Sequence, residues 1–321
     1  RLEAGLYGKM SDGTWNLKFY NYNSERGIPG AIVNNVWRHG ERVWDTNSFM
    51  QGSYIKESNS KFKTQVNAKY AFYRTHYVNN DDKLIHVDNL YKQREIYLSS
   101  ANVYPILSNW DVSASYDLQW NKMNADMYGF VYPERFTNLL SVATALRLGK
   151  VKLQASGLAT FINDRVEEGP APKARQILTP AVFASYKPFE KQDFNVRAFY
   201  KRIFRMPTFN DLYYADMGNS KLNPEYVTQY DAGFAYTKTW ENYLFYRFKI
   251  QADGYYNKVK DKIIAYPKGQ QFRWTMLNLG KVEIKGIDVS TETTVNPVKD
   301  LFVTLRGQYT YQKAQDFTDP S

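Results

Sequence analysis

The chain has 321 residues, a formal net charge of +10 and no cysteine, which excludes disulfides, thiolate metal sites and cysteine nucleophiles. Its length suits one large barrel or two ordinary domains. No apolar run approaches the roughly 18 residues that a membrane helix needs. The low mean hydropathy of -0.58 remains compatible with a transmembrane β-barrel, because half of each barrel strand faces water.

Alternation of apolar and polar residues with a period of two predicts strands along the whole chain. From Phe62 to Phe72 the even-numbered residues are mainly apolar, whereas Lys63 and Lys69 belong to the polar face. From Trp110 to Trp120 the sorting into two faces is complete. At about 3.3 Å per residue and a tilt of about 40°, these two tryptophans would lie roughly 25 Å apart along the membrane normal. That distance matches the apolar band of a barrel, with an aromatic residue at each interface.

The same pattern predicts an all-β protein, a transmembrane antiparallel β-barrel with about fourteen strands in a single domain, 1–321. The predicted strands are 2–10, 15–25, 48–57, 61–77, 91–104, 110–121, 135–148, 151–162, 177–187, 193–204, 226–237, 243–264, 274–293 and 301–314.

The connections between these strands alternate in length. Ser11–Thr14 and Ser58–Ser60 are short, whereas Arg26–Asn47 and Val78–Leu90 are long, and the alternation continues to about residue 242. Bacterial outer-membrane barrels have short periplasmic turns and long extracellular loops. The alternation therefore predicts that both ends of the chain lie outside the cell. Since complete barrels of this type keep both termini in the periplasm, we expect an internal segment of a larger barrel.

Few residues suggest chemistry. The three histidines, His39, His76 and His86, form no zinc motif, and no phosphate loop or nucleophile elbow is present. We therefore expect no catalytic residue, no metal site, no cofactor and no enzymatic activity. The acidic pairs Asp81-Asp82 and Glu167-Glu168 fit either a surface Ca²⁺ site or, more simply, solvated loops.

The basic residues are dispersed through the strands, which argues against a nucleic-acid surface. They would either draw anionic cargo into the lumen or face water and a plug domain. The strand cations considered are Lys63, Lys69, Arg147, Arg197, Lys201, Arg247, Lys249 and Arg306. Aromatic and basic side chains in predicted loops fit capture of a bulky small molecule, with interface anchoring or loop packing as the alternative. The candidate ligand-binding residues are Trp37, Arg38, Trp44, Arg205, Tyr213 and Tyr214.

Three linked motifs resemble the TonB-dependent receptors of Gram-negative bacteria. The segment from Phe204 to Tyr214 reads Phe-Arg-Met-Pro-Thr-Phe-Asn-Asp-Leu-Tyr-Tyr, and the next ends in Leu-Asn-Pro-Glu at Glu225. A third contains Asn-Leu-Gly followed by Gly-Ile-Asp at 286–288. The motif residues are Phe204, Arg205, Pro207, Leu212, Tyr213, Leu222, Pro224, Glu225, Asn278, Gly280 and Gly286.

The resemblance implies active import of a scarce, bulky nutrient through a 22-stranded outer-membrane barrel with an N-terminal plug. Three strands before this segment and five after it would complete that barrel. Cobalamin or a ferric siderophore is the expected cargo, because the motifs depart from those of haem receptors. Expected partners are outer-membrane lipid, the receptor's own plug, the TonB energy-coupling complex and, optionally, a surface lipoprotein. A passive porin and a soluble all-β glycan-binding protein remain the alternatives.

Overall fold

A computed structural model describes residues 1–28, 32–33, 36–37, 40–57, 61–80, 86–169, 171–214, 217–240, 244–268 and 273–318. Fourteen antiparallel strands form one sheet in which each strand pairs with its neighbours in chain order. The strands are β1 Leu2–Met10, β2 Gly13–Gly27, β5 Glu41–Glu57, β6 Lys63–Asn79, β7 Val87–Leu107, β8 Trp110–Ala125, β9 Glu134–Leu148, β10 Val151–Arg165, β11 Arg175–Tyr186, β12 Asp193–Arg205, β13 Glu225–Thr239, β14 Phe245–Lys268, β15 Arg273–Val298 and β16 Leu301–Asp316. A separate hairpin consists of β3 Ile32–Val33 and β4 Val36–Trp37, and the helix α1 is Phe209–Tyr213.

The fourteen predicted strands are confirmed, but several are longer than predicted. The clearest error concerns the predicted loop Arg26–Asn47, because β5 already begins at Glu41 and a hairpin occupies part of the remainder. Residues 41–47 carry charges on both faces and therefore lack the alternation that a membrane face imposes. They pair with β6 above the apolar band, where water can solvate either face of the sheet.

The sheet is strongly curved. The connection between β12 and β13 packs on β7 and β8 through Phe209 and on β14 through Leu212. Seven strand spacings of about 4.8 Å separate β7 from β14, an arc of roughly 34 Å along the sheet. One five-residue helix, about 7.5 Å long, and its short flanks bridge this arc only because the sheet curls around them. The connection therefore lies on the concave, inner face.

The two faces of the sheet differ as the alternation predicts. In β8 the residues Trp110, Tyr116 and Trp120 share the outer face, whereas Asp111 and Asn121 share the inner face. The continuous cross-strand register carries this assignment from β8 to β13 without a bulge. Large exposed aromatic and aliphatic side chains are abundant on the outer face, as expected for a surface in contact with lipid. No helix among the described residues is long and apolar enough to cross a membrane.

Candidate functional site: an inner chamber beneath a docked loop

The connection between β12 and β13 forms a strap, which we define as residues 206–214 and 217–224. Its helix α1 begins at a capping box: Asp211 N donates to Thr208 Oγ1 (3.1 Å), and Thr208 N donates to Asp211 Oδ2 (2.8 Å). Such reciprocal bonds satisfy amide donors that a short helix otherwise leaves free. Arg205 also lies 3.3 Å from the Asp211 carboxylate. These bonds fix the local conformation at the start of α1.

Arg135 on β9 attaches the strap to the inner face. Its Nε and Nη2 each donate to one oxygen of Asp164 at 2.7 Å, and its Nη1 donates to the carbonyl of Pro207 at 2.8 Å. The guanidinium also lies 5.2 Å from the ring centroid of Phe209. Arg135 and Asp164 are both buried. A buried, bidentate pair with a third acceptor uses the planar fork of arginine in a way that lysine cannot reproduce.

The other end of the strap is held by backbone-directed side chains. Asn278 Nδ2 donates to the carbonyls of Asn223 (3.1 Å) and Asp261 (2.7 Å), and its Oδ1 accepts from Asn223 N (2.9 Å). Glu225 Oε2 accepts from Ile263 N at 2.9 Å. Asn219 Nδ2 donates to the carbonyl of Met276 at 2.9 Å. The motif residue Asn278 and the strap residue Asn219 therefore dock the strap against β14 and β15, and the motif residue Glu225 joins the start of β13 to β14.

The apolar motif residues complete the docking. Leu212 and Leu222 form a buried cluster with Ile263, and Pro207 and Pro224 are buried as well. Two further motif residues contact the wall and not the strap: the Phe204 ring is 6.4 Å from that of Tyr226, and a side chain at Gly280 would meet Thr318. At Gly286 the Tyr255 ring and the Tyr311 carbonyl fill the space that a side chain would need, so glycine permits the close approach of neighbouring strands.

A chamber of about 590 Å³ lies between the strap and the inner face of β2 and β5 to β8. Tyr214 and Asn210 of the strap form its roof, and Tyr91 stacks on Tyr214 with ring centroids 4.8 Å apart. Burial raises the pKa of Tyr214 to about 12; its hydroxyl, which like that of any tyrosine is protonated at neutral pH, can donate a hydrogen bond into the chamber. Burial also raises the pKa of Tyr213. The remaining lining residues are Arg26, Ile28, Val43, Asp45, Tyr73, Thr75, Gln93, Glu95 and Met123.

The charges around the chamber are paired. Arg26 Nη2 lies 2.9 Å from Asp45 Oδ2, and Thr75 Oγ1 donates to the other oxygen of the same carboxylate at 2.8 Å. Lys69 Nζ donates to Glu95 at 2.9 Å and to the Tyr73 hydroxyl at 3.2 Å. The chamber therefore offers aromatic faces and hydrogen-bonding groups without a net charge from these pairs. Such a lining suits a bulky, partly apolar molecule with polar groups at its edge.

The candidate ligand-binding residues have different positions. Tyr214 lines the chamber, whereas Tyr213 packs between the two apolar clusters of the strap. Arg205 lies at the end of β12, beside the carboxylates of Asp211 and Glu225. Trp44 was expected in a loop, but that placement is wrong, because it lies in β5 on the outer face beside His76. A ligand role for each of these residues stays a prediction.

For the remaining candidate residues, the structure describes at most the backbone. The backbone of Trp37 belongs to β4, and Arg38 lies outside the described residues, as do His39, Asp81 and Asp82. Sequence reasoning did not identify Arg135, Asp164 or Tyr91. Their only sequence signal is a charged or aromatic residue on the polar face of a strand, which many strand positions share. In the described part of the chain, no group of three or more histidine or acidic side chains could hold a metal ion.

The comparison with protein families settles the class of this chain. The family described as TonB dependent receptor-like, beta-barrel, matches residues 3–321. The chain belongs to this family. Its members are outer-membrane β-barrels that act as receptors and transporters. The resemblance to this family and the all-β barrel fold, both expected from the sequence, are therefore confirmed.

Individual relatives match either a short part of this chain in sequence or nearly all of it in fold. The vitamin B12 transporter BtuB of Vibrio vulnificus is 34% identical over 86 residues, which are 27% of this chain and 13% of that protein. BtuB of Photobacterium profundum is 31% identical over 94 residues, 27% of this chain and 14% of that protein. Among solved structures, the copper transporter OprC has a TM-score of 0.74 at 14% identity and covers 98% of this chain. The chain spans 52% of OprC, about half of its length.

Proposed function

We propose that this TonB-dependent receptor barrel is part of an importer for a bulky, scarce nutrient, with cobalamin or a ferric siderophore as the cargo. The chamber beneath the strap carries the proposal, because its paired charges and aromatic faces fit such a molecule. The names of similar proteins point the same way: two are vitamin B12 transporters, and structural neighbours include the alcaligin receptor FauA and the siderophore receptor PirA.

We also propose that the chain is a segment of a larger barrel whose plug and energy-coupling contacts lie in other parts of the protein. The chain spans 50–62% of the structural neighbours. Among the described residues, β1 and β16 each pair with one neighbour only. An open strand edge in lipid leaves backbone groups without hydrogen bonds. Hydrogen exchange on the full-length protein in membranes should therefore find slow amides along the outer edges of β1 and β16, and fast exchange there would contradict a closed wall.

The cargo can be identified by uptake in a strain that lacks the chromosomal gene. The full-length protein is expressed from a plasmid, and uptake of radiolabelled cobalamin and of ⁵⁵Fe-loaded siderophores is measured under limitation. We expect saturable, energy-dependent uptake of one of these compounds. Uptake of neither would contradict the proposed cargo. A steadily open pore in single-channel recordings would instead favour a passive porin.

A matched pair of variants on one strand tests whether the chamber binds the cargo. Tyr73 and Tyr70 are both on β6, but Tyr73 lines the chamber whereas Tyr70 is 48% exposed on the outer face. Loss of an aromatic or hydrogen-bonding contact costs about 1–2 kcal/mol, or roughly 5- to 30-fold in affinity. Tyr73→Ala should therefore raise the half-saturating cargo concentration by that factor, and Tyr70→Ala should leave it within about twofold. Equal effects of both variants would place the cargo elsewhere.

A further inference from the structure

The outer face of β12 to β16 carries an unusual band of positive charge. The register places three consecutive outward-facing rows side by side: Tyr200, Tyr230, Tyr256, Lys285 and Lys313; Arg202, Thr228, Lys258, Glu283 and Gln315; and Phe204, Tyr226, Lys260 and Lys281. These rows contain six cations and one carboxylate. We call the six cations the basic rim. All six are exposed.

The basic rim lies where the apolar outer surface ends. On β14 the outward residues from Phe248 to Tyr256 are apolar or aromatic, and the next two outward residues are Lys258 and Lys260. The distance from Phe248 to Tyr256 along the membrane normal is about 20 Å at a tilt of about 40°, close to the height of a barrel's apolar band. A row of three tyrosines marks the boundary, as aromatic girdles do at membrane interfaces.

The rim lies at the end of the strands that is nearer the strap. β12 leads into the long 206–224 connection, whereas the opposite ends of these strands are joined by short turns such as 299–300. Long connections of outer-membrane barrels are extracellular. The rim therefore faces the headgroups of the outer leaflet, provided that the chain spans the outer membrane as its family does.

Most of the rim cations are not in an ion pair, although Glu283 lies opposite Lys258 in the cross-strand register. Lys281 pairs with Glu283 at 2.7 Å, but the other five have no carboxylate within ion-pair distance among the described residues. Aromatic rings support three of the cations instead: Arg202 lies over Tyr226, Lys258 over Tyr256 and Lys281 over Phe317, at 5.2–5.6 Å from the ring centroids. Ring contacts orient a cation without neutralising it. The net charge of the rim is therefore available to an anionic partner.

An open groove of about 800 Å³ lies directly below the rim on the same outer face. Its floor is a row of small outward residues, Ala198, Ala232 and Gly254, and the tyrosine row and Lys285 form its upper wall. A bound molecule would therefore place an apolar part in the groove and an anionic part against lysine. The apolar groove and the cations above it are therefore arranged like the hydrocarbon chain and the headgroup of an anionic lipid.

We propose that the basic rim and the groove form a binding site for one phosphorylated glycolipid of the outer leaflet, with its phosphates on the rim lysines and an acyl chain in the groove. The positive charge matches phosphate oxygens, and the groove matches a hydrocarbon chain. The site lies outside the barrel and does not depend on which cargo the receptor imports.

Native mass spectrometry of the full-length protein in a neutral detergent tests the proposal. The probes are diphosphoryl lipid A, its dephosphorylated form and sodium pyrophosphate. We expect one tightly bound diphosphoryl lipid, weak binding of the dephosphorylated form, and no displacement by equimolar pyrophosphate. Displacement by pyrophosphate would mean that the site recognises free phosphate and would overturn a lipid site, as would equal binding of the dephosphorylated form.

Two triple variants of equal charge change separate the site from general electrostatics. Lys258→Gln, Lys260→Gln and Lys285→Gln remove cations of the rim. The control, Arg42→Gln, Lys92→Gln and Lys122→Gln, removes outward cations of β5, β7 and β8 at the same end of the sheet, two of which are in ion pairs.

Each cation near an anionic lipid contributes about fivefold to the affinity. The rim variant should therefore bind the diphosphoryl lipid about a hundredfold more weakly, and the control should remain within about fivefold. Equal losses in both variants would contradict a defined site. Cargo uptake should be unchanged in the rim variant, so failure of the lipid site and failure of the proposed import function are distinguishable.

Discussion

The inner face of this sheet and the basic rim hold their charges in opposite ways. On the inner face, Arg135 has a bidentate bond to Asp164, and Arg197 approaches both oxygens of Asp253 at 2.6–2.9 Å. On the outer face, five of the six rim cations have no carboxylate partner among the described residues. Paired charges within a wall hold strands and a loop in place, whereas unpaired charges at a lipid boundary remain free for a partner. The difference implies that inner-face substitutions change stability and rim substitutions change binding.

The largest effect is expected at Arg135. Arg135→Ala leaves the buried Asp164 carboxylate without its cation and removes the bond to Pro207, and breaking a buried pair typically costs about 3–5 kcal/mol. We expect a loss of that order in folding stability, measured by urea titration of the protein folded into phospholipid vesicles. The strap should also become sensitive to protease near residues 206–224.

An exposed pair of the same chemistry provides the control for Arg135. Arg147 lies 2.7 Å from Asp111, but its side chain is 52% exposed. Because surface ion pairs contribute only about 0–1 kcal/mol, Arg147→Ala should change stability by no more than that and leave the strap resistant. Similar losses from both substitutions would show that burial does not distinguish the pairs.

Gly233 is expected to produce the second largest effect. It lies between Arg197 and Asp253 in the cross-strand register. Because Gly233 has no side chain, Arg197 can extend across β13 and pair with Asp253 on β14. A Cβ at Gly233 would meet the Asp253 carboxylate and the carbonyl of Ala252. Overpacking of this kind costs about 1–3 kcal/mol. We expect Gly233→Val to reduce the urea midpoint accordingly.

Gly157→Val is the matched control for Gly233→Val. Gly157 also lies inside a strand, but nothing lies within 4 Å of a Cβ built there. Its substitution should therefore leave the midpoint nearly unchanged or raise it slightly, since valine favours extended backbone. If Gly157→Val destabilised as much as Gly233→Val, glycine itself, and not the bridge across β13, would be the cause.

The sequence predicted the wall far better than the chamber. Alternation identifies a strand and its two faces wherever lipid covers one face and water the other, as between Trp110 and Trp120. It fails at 41–47, because beyond the membrane no face has to be apolar. The motif around Pro207 indicated the strap and its family, but the wall residues that receive it, Arg135 and Tyr91, are 72 and 116 positions away in the chain. Such contacts depend on the curvature of the sheet, which no local pattern encodes.

The smallest effect on stability is expected at the rim, and this prediction sharpens the contrast between the two faces. Lys260 is exposed on the outer face and lacks a carboxylate partner among the described residues. Surface substitutions without such partners usually change stability by no more than about 0.5 kcal/mol. Lys260→Gln should therefore leave the urea midpoint in zwitterionic vesicles unchanged. Because repulsion among neighbouring rim lysines is removed, any shift should be towards higher stability at low salt and should disappear as salt screens these charges. A clear loss of stability in zwitterionic vesicles would mean that Lys260 has a structural partner, and the division between paired inner charges and available rim charges would then be wrong.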